Sequence, residues 1–175
     1  MGKARVTKGQ AVVGSLAAAG AVQAGSVGFT CASVALRLAR IPVSCATTGE
    51  RTYAFTFPVG AVIQRVYLDV NTQESTASAK TIDIGLLSSE TSGDADGFLD
   101  GVSTASAGIV QGSTAISAAA RTLGVLMLDG STASSDLSRK DHIVRGANAV
   151  TLSSTVSELQ TELVADIVVQ YLCVG

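Results

Sequence analysis

The 175-residue chain is poor in the side chains on which catalysis usually depends. It contains no tryptophan and one histidine, and charged residues make up only 15% of it. The histidine, His142, lies in the polar stretch SRKDHIVRG, which predicts a solvated side chain in a loop that leads into a strand. No GxSxG, glycine-rich phosphate loop or HExxH motif is present, so the sequence predicts no enzyme and no cofactor.

Cysteine is also scarce, which excludes a disulfide scaffold. Cys31, Cys45 and Cys173 are odd in number, and each lies in an apolar stretch that predicts a buried reduced thiol. A single Cys31–Cys45 bridge stays open, because spacing alone cannot decide it. The clustered Cys and His ligands that a zinc site needs are missing.

The first residues carry charge of one sign. Lys3, Arg5 and Lys8 precede the apolar stretch AVVGSLAAAGAV, a pattern that resembles a weak signal peptide. Glycines dilute that stretch, and it is too short to span a bilayer. We therefore predict an N-terminal docking arm over residues 1–26, a body over 27–175 and no membrane insertion.

The charge of the chain is uneven. Residues 1–51 hold six basic side chains against Glu50 alone, whereas residues 52–175 are net acidic. A basic segment on an acidic body indicates a partner with a negative surface. Since no aromatic or Arg-rich cluster accompanies these residues, we predict an acidic protein surface and no nucleic acid. The predicted interface residues are Lys3, Arg5, Lys8, Arg37 and Arg40.

Apolar and polar residues alternate along much of the body, as in half-buried strands. The clearest stretches are TYAFTF (52–57), VIQRVYLDV (62–70), KTIDIGLL (80–87) and ELVADIVVQYL (162–172). Their predicted core residues are Tyr53, Phe55, Phe57, Val62, Val66, Leu68, Val70, Ile82, Ile84, Leu86, Leu163, Ala165, Ile167, Val169 and Tyr171. Further strands are predicted over 122–129 and 148–159, and one or two over 27–44. The C-terminal strand, which ends in IVVQYLCVG, is predicted to be central in its sheet.

These patterns predict about eight strands joined by turn-rich loops of uneven length. Repeated strands without helical crossovers indicate an all-β fold, an antiparallel β-sandwich or barrel. The uneven loops favour the Greek-key wiring of a jelly-roll-like sandwich, with the N-terminal arm extended from it.

The stretch SGDADGFLDG (92–101) has two interpretations. Asp94, Asp96 and Asp100 are hard oxygen ligands of the kind that Ca²⁺ prefers, which suggests a cation site. Aspartate and glycine are also the residues with which a chain reverses direction. Because position 98 is Phe and no later Glu completes an EF-hand loop, we favour a tight turn and keep calcium as the alternative.

The string KTIDIGLLSSETSGDADGFLDGVSTASAG (80–108) resembles tailed-bacteriophage virion proteins that decorate or cement the capsid. The strand DIVVQYL (166–172) and the opening TGERTYAFTFPVGAVIQRVYLDVNT (48–72) are similar to the same group, so the resemblance covers about 48–175. It implies a jelly-roll trimer on the outer face of a phage head.

The resemblance and the composition together predict a function. We expect a non-enzymatic virion structural protein, made in the host cytoplasm, that binds the major capsid protein and stabilises the capsid surface. The alternatives are a carbohydrate- or host-binding β-sandwich module and a tail or head fibre adaptor.

Overall fold

The computed structural model describes residues 22–24, 27–29, 34–114, 121–129, 138–145 and 148–174. The chain divides into two compact units, residues 1–35 with 174–175 and residues 36–173. In the first unit, β1 (Val22–Ala24) and β2 (Val27–Phe29) form an antiparallel hairpin. Most of the predicted arm over 1–26 lies outside the described residues, so the arm and its boundary stay predictions.

Two sheets of the described chain are built from eight strands of four or more residues and one two-residue strand. In chain order the eight longer strands are β3 (Val34–Pro42), β4 (Gly49–Phe57), β5 (Val62–Thr72), β6 (Thr81–Leu86), β7 (Asp94–Ser103), β8 (Gly108–Gln111), β12 (Val150–Val156) and β13 (Val164–Val174). Between β8 and β12 lie a 3₁₀ helix (Val125–Met127) and the two-residue strands β9 (Leu128–Asp129), β10 (Ser138–Arg139) and β11 (His142–Ile143).

The strand order is that of a jelly roll. One sheet runs β3–β13–β5, and β8 and β11 both pair with the remaining edge of β5. The other sheet runs β4–β12–β6–β7. Numbered among the eight, strands 1, 8, 3 and 6 form the first sheet and strands 2, 7, 4 and 5 the second, and the registered pairs are antiparallel. The predicted all-β, jelly-roll-like sandwich is confirmed, as is the central position of the C-terminal strand.

The core lies between the two sheets, where the predicted alternation puts it. Ile82, Ile84 and Leu86 of β6 are buried, and so are Ala165, Ile167 and Val169 of β13. Aromatic side chains fill one part of this core, with ring centroids 5.0–6.0 Å apart and edge-to-face geometry. That aromatic cluster is Phe55, Phe57, Phe98 and Tyr171.

The start of β5 departs from the predicted pattern. Val62 was expected to face the core, but Ile63 is fully buried and Val62 only partly. The register with β13 shifts here, because Gln170 pairs with Arg65 while the next residue pairs with Ile63. The extra residue on β5 is a β-bulge, which moves the following side chains to the opposite face.

The strand predicted over 122–129 is wrong for most of its length. Leu123 makes an isolated bridge to Leu99, and the chain then turns through the 3₁₀ helix Val125–Met127 before the short strand β9. Leu123, Met127 and Leu128 are all buried. A short apolar run of this kind signals burial without specifying its backbone conformation.

Buried polar groups join the loops at one end of the sandwich. The Glu74 carboxylate, 1% exposed, accepts hydrogen bonds from the backbone N–H groups of Thr76, Ala77 and Glu162 at 2.8, 2.9 and 3.0 Å. The Thr104 hydroxyl donates to Gln160 at 2.6 Å, and the Gln160 amide donates to the Thr81 carbonyl at 2.6 Å. Three loops, 73–80, 104–107 and 157–163, are thereby held together.

Glu74 makes this loop end sensitive to acid. Hydrogen bonds from Thr76 and Ala77 hold its pKa at about 2, below its usual value of 4.5. The stabilisation is complete above pH 4.5 and is lost as the pH falls from 4.5 towards 2. We expect Glu74→Gln to lower Tm at pH 7 by roughly 5 °C. In melting curves the difference from wild type should shrink below pH 4.5, and a difference independent of pH would contradict this role.

Candidate functional site

Residues 94–101 of SGDADGFLDG lie on a strand, so the tight turn predicted for Asp94, Asp96 and Asp100 is wrong. The turn comes earlier, at 88–93, and β7 begins at Asp94. Opposite β6, β7 carries extra residues, since Ile84 pairs with Leu99 and Leu86 with Asp94. These β-bulges and the positive φ of Gly101 (61°) accommodate the Asp- and Gly-rich sequence within a strand.

The aspartates of β7 and Asp83 of β6 form a carboxylate cluster. Burial, together with hydrogen bonding and repulsion from the Asp96 carboxyl, raises the pKa of Asp94 to about 6. Burial and the charge of Asp96 also raise the pKa of Asp100. The pKa of Asp83 is raised chiefly by burial, although its carboxylate accepts a 2.7 Å hydrogen bond from Gly101 N–H. The cluster therefore destabilises the fold when all of its members are ionised.

The cation site at Asp94, Asp96 and Asp100 stays a prediction. In the part of the chain that the structure describes, no group of three or more His, Cys, Asp or Glu is arranged to hold a metal ion. Interaction with the Asp96 carboxyl helps to raise the pKa of Asp94, so the two carboxyls lie close to each other. Melting with millimolar calcium and with a chelator decides the question: curves that differ by several degrees support the site, and matching curves exclude it.

Asp94→Asn should stabilise the protein at neutral pH. The unfolded carboxyl loses its proton near pH 3.8 and the folded one near 6, so stability falls as the pH rises between these values. The Asp94→Asn variant does not lose this stability, because the asparagine side chain does not ionise. Because Asp94 is partly exposed, we expect a gain in Tm of only about 3 °C above pH 6 and none below pH 3.8. Asp141→Asn, at an exposed position, is the control, and an Asp94→Asn variant less stable than wild type at pH 7 would refute the explanation.

The structure places the predicted basic interface residues in different environments. Lys3, Arg5 and Lys8 lie outside the described residues. Arg37 is exposed on β3. Arg40, also on β3, donates to the carboxylates of Asp69 at 2.5 Å and Asp166 at 2.9 Å. It thus joins three strands of its own sheet, and the role of all five residues in a partner interface stays a prediction.

Three exposed apolar side chains lie on the side of the five-stranded sheet that faces away from the core. Leu36 and Leu38 share this face with Arg40 and are 58% and 68% exposed. Ile109 of β8 pairs directly with Asp69, which places it on the same face, and it is 62% exposed. We call Leu36, Leu38 and Ile109 the outer apolar face. The alternation in VALRLAR could have indicated Leu36 and Leu38, but only the sheet order adds Ile109.

His142 is more enclosed than predicted. It lies on β11 and is half-buried against the ring of Phe98, with centroids 5.9 Å apart. Burial, with a smaller effect of the Lys140 charge, lowers the pKa of His142. The predicted loop leading into a strand is correct, but the solvated side chain is wrong, because the cross-strand pair with Ile63 draws the residue onto the sheet.

Two cysteines lie within the described side chains. Cys45 is a buried free thiol as predicted, and burial raises its pKa to about 11. Its free state rules out the Cys31–Cys45 bridge in this structure, and Cys31 itself lies outside the described residues. Cys173 is free but partly exposed, so its predicted burial is wrong. It is the second-last residue of β13, where the strand leaves the core.

The protein is thus an antiparallel jelly roll that carries the carboxylate cluster on β6 and β7 and the outer apolar face on its other sheet. Among the described residues, no helix is long and apolar enough to cross a membrane. No protein-family model and no curated protein matches the sequence.

One solved structure contains a similar chain: the structure described as "Acidic stable capsid structure of Helicobacter pylori bacteriophage KHP30". The TM-score is 0.47 and the sequence identity 16%, over 80% of this chain and 89% of that one. A likeness at this level supports no inference about function.

Proposed function

We propose that this protein is a non-enzymatic virion structural protein that binds and stabilises the outer surface of a phage capsid. The proposed partner is the major capsid protein, and the proposed assembly on it is a homotrimer. The sequence resemblance over 48–175 supports the phage assignment. Its most similar string, 80–108, corresponds to β6, β7 and the start of β8.

The outer apolar face carries this proposal. The outward side of a sandwich sheet is normally polar, whereas here Leu36, Leu38 and Ile109 are each more than half exposed. Leu36 and Leu38 lie on one edge strand of the sheet and Ile109 on the other side of β5, with the ion pairs of Arg40, Asp69 and Asp166 between them. Exposed large apolar groups on the outward side of a sheet are candidates for an interaction surface. In a protein with only 15% charged residues, a partner that covers this face removes exposed apolar groups from water.

The bonded loops supply the rigidity that a cement protein needs. At one end, Glu74, Thr104 and Gln160 hold three loops. At the other end, Glu90 accepts hydrogen bonds from both the N–H and the hydroxyl of Thr151. A body that is already ordered loses little conformational entropy on binding, so contact area converts more fully into affinity. Bound copies then stabilise the shell by mass action.

The alternative of a sugar-binding module lacks the expected platform. Such platforms use exposed aromatic rings, and among the described side chains no aromatic residue is exposed. Phe57 and Phe98 are fully buried in the core.

Heads assembled without this protein test the proposal. Adding the purified protein should raise the temperature at which such heads rupture by several degrees, and its mass in solution should be that of three chains. Heads of unchanged robustness, with no bound protein after sedimentation, would overturn the capsid role. A monomeric mass would overturn the trimer alone.

A further inference from the structure

A polar groove lies at the end of the sandwich that carries the β6–β7 turn. Its volume is about 420 Å³, and its walls include Ser89 and Thr91 of the turn with Arg145 and Asn148 that precede β12. That volume is within the range of small ligand sites and holds two or three side chains. The groove is distinct from the outer apolar face and from the carboxylate cluster.

The wall formed by the turn is held in place by four hydrogen bonds. Glu90 N–H donates to the Leu87 carbonyl at 3.0 Å, and Gly93 N–H donates to the Glu90 carbonyl at 2.8 Å. The Glu90 carboxylate, bound by Thr151 at 2.7 and 2.5 Å, fixes the turn to β12. Ser92 has a positive φ of 70°, a conformation that non-glycine residues keep only where the surroundings impose it. The hydroxyls of Ser89 and Thr91 are thus presented in a preset position.

Two charged side chains, Glu90 and Arg145, line this groove. Both carboxylate oxygens of Glu90 accept hydrogen bonds from Thr151, so Arg145 is the charged group left to bind a ligand. Arg145 is exposed and forms no salt bridge with any residue that the structure describes. A guanidinium beside hydroxyl and amide groups is suited to a carboxylate, which it can bind with two parallel hydrogen bonds.

An apolar hollow lies beside the groove, and Arg145 and Val150 line both of them. Its volume is about 140 Å³, and its other walls include Leu86, Ile143 and Val144. His142 closes one side, and burial lowers its pKa, which favours the uncharged imidazole. A space of this size and lining accepts one aliphatic side chain.

We infer that this two-part groove binds a protruding acidic peptide loop of a capsid subunit, with a carboxylate on Arg145 and a neighbouring aliphatic side chain in the apolar hollow. The inference rests on the proposed capsid function and names the chemistry of the partner. The pairing of one cation with an adjacent apolar hollow favours a protein loop over an acidic sugar, because an aliphatic side chain fills the hollow better than the single acetyl methyl that such a sugar can offer.

Sedimentation with heads that lack this protein tests the groove. Arg145→Gln should weaken binding by at least about 10-fold, and Arg145→Lys should weaken it less because the charge is kept. Lys80→Gln is the matched control, since it removes one positive charge at the opposite end of β6. Unchanged Tm values of the three variants would show that folding is not affected.

The outcomes separate the two proposals. If wild-type protein fails to bind heads, the proposed function is wrong. If wild type and Arg145→Gln bind equally well, the groove inference is wrong and the function stands. In an NMR titration of the full chain, the capped dipeptide acetyl-Leu-Glu-amide should shift the signals of Arg145 and Val150 more than acetyl-Leu-Gln-amide. Shifts with N-acetylneuraminic acid and none with either peptide would overturn the inference in favour of a sugar.

Discussion

Phe57→Ala lowers the free energy of unfolding by about 4 kcal/mol, equivalent to a fall in Tm of roughly 12 °C. Phe57 is fully buried and lies at the centre of the aromatic cluster, with edge-to-face contacts to Phe55, Phe98 and Tyr171. Alanine leaves a cavity between the two sheets, because β4, β7 and β13 all contribute to its walls. Urea or thermal unfolding measures the loss directly.

Two further variants serve as controls for Phe57→Ala. Phe57→Leu keeps most of the volume and should cost about 1–2 kcal/mol. Thr56→Ala, one residue away on the exposed face of the same strand, should change stability by less than about 0.5 kcal/mol. Equal losses for Phe57→Ala and Thr56→Ala would contradict the position of the core between the sheets.

Leu38→Glu should reduce binding to bare heads, or the assembly of the trimer, by on the order of 100-fold while leaving the fold intact. Leu38 is 68% exposed and makes no part of the core, so glutamate is tolerated in the free protein. In a covered apolar interface the same carboxylate loses its water without gaining a partner. Sedimentation with heads and mass measurement in solution report the two effects.

Thr52→Glu is the matched control for that variant. Thr52 is exposed on β4, in the other sheet, so it adds the same charge to a surface outside the outer apolar face. We expect it to bind and assemble like wild type. If Leu38→Glu also binds and assembles like wild type, the outer apolar face is not an interface and the proposed function loses its main support.

The framework of the fold was predictable because the strands are amphipathic. In β6 and β13 the residues predicted to face inward are buried, and Ile82, Ile84 and Ile167 lie in the core as expected, although the outward-facing Val168 is buried as well. That pattern depends only on the two-residue period of a strand and on the cost of leaving large apolar groups in water.

The β-bulge of β5 and the ion pairs of Arg40 could not be predicted from the sequence, because each depends on residues distant in the chain. The β-bulge at Gln64 arises from the register with β13, about a hundred residues later. Arg40 was predicted to bind a partner, yet its carboxylate ligands, Asp69 and Asp166, lie on two other strands of the same sheet. No local pattern encodes these pairings.

The aspartates of β7 illustrate the same limit for the candidate site. Asp and Gly in SGDADGFLDG are typical of turns, and the strand forms because the neighbouring β6 accepts it. Gly85 of β6 lets β7 approach closely, since a Cβ there would lie 2.0 Å from the Asp94 carbonyl oxygen. The two-part groove also needs the fold, because Arg145 and the β6–β7 turn are more than fifty residues apart.

An image of the intact particle by electron cryomicroscopy, at a resolution that separates strands, tests the central claim most directly. We predict density for this jelly roll on the outer surface of the head, three copies around one axis, with the outer apolar face covered. Particles that carry the protein elsewhere, or copies whose Leu36, Leu38 and Ile109 face open solvent, would contradict the proposal.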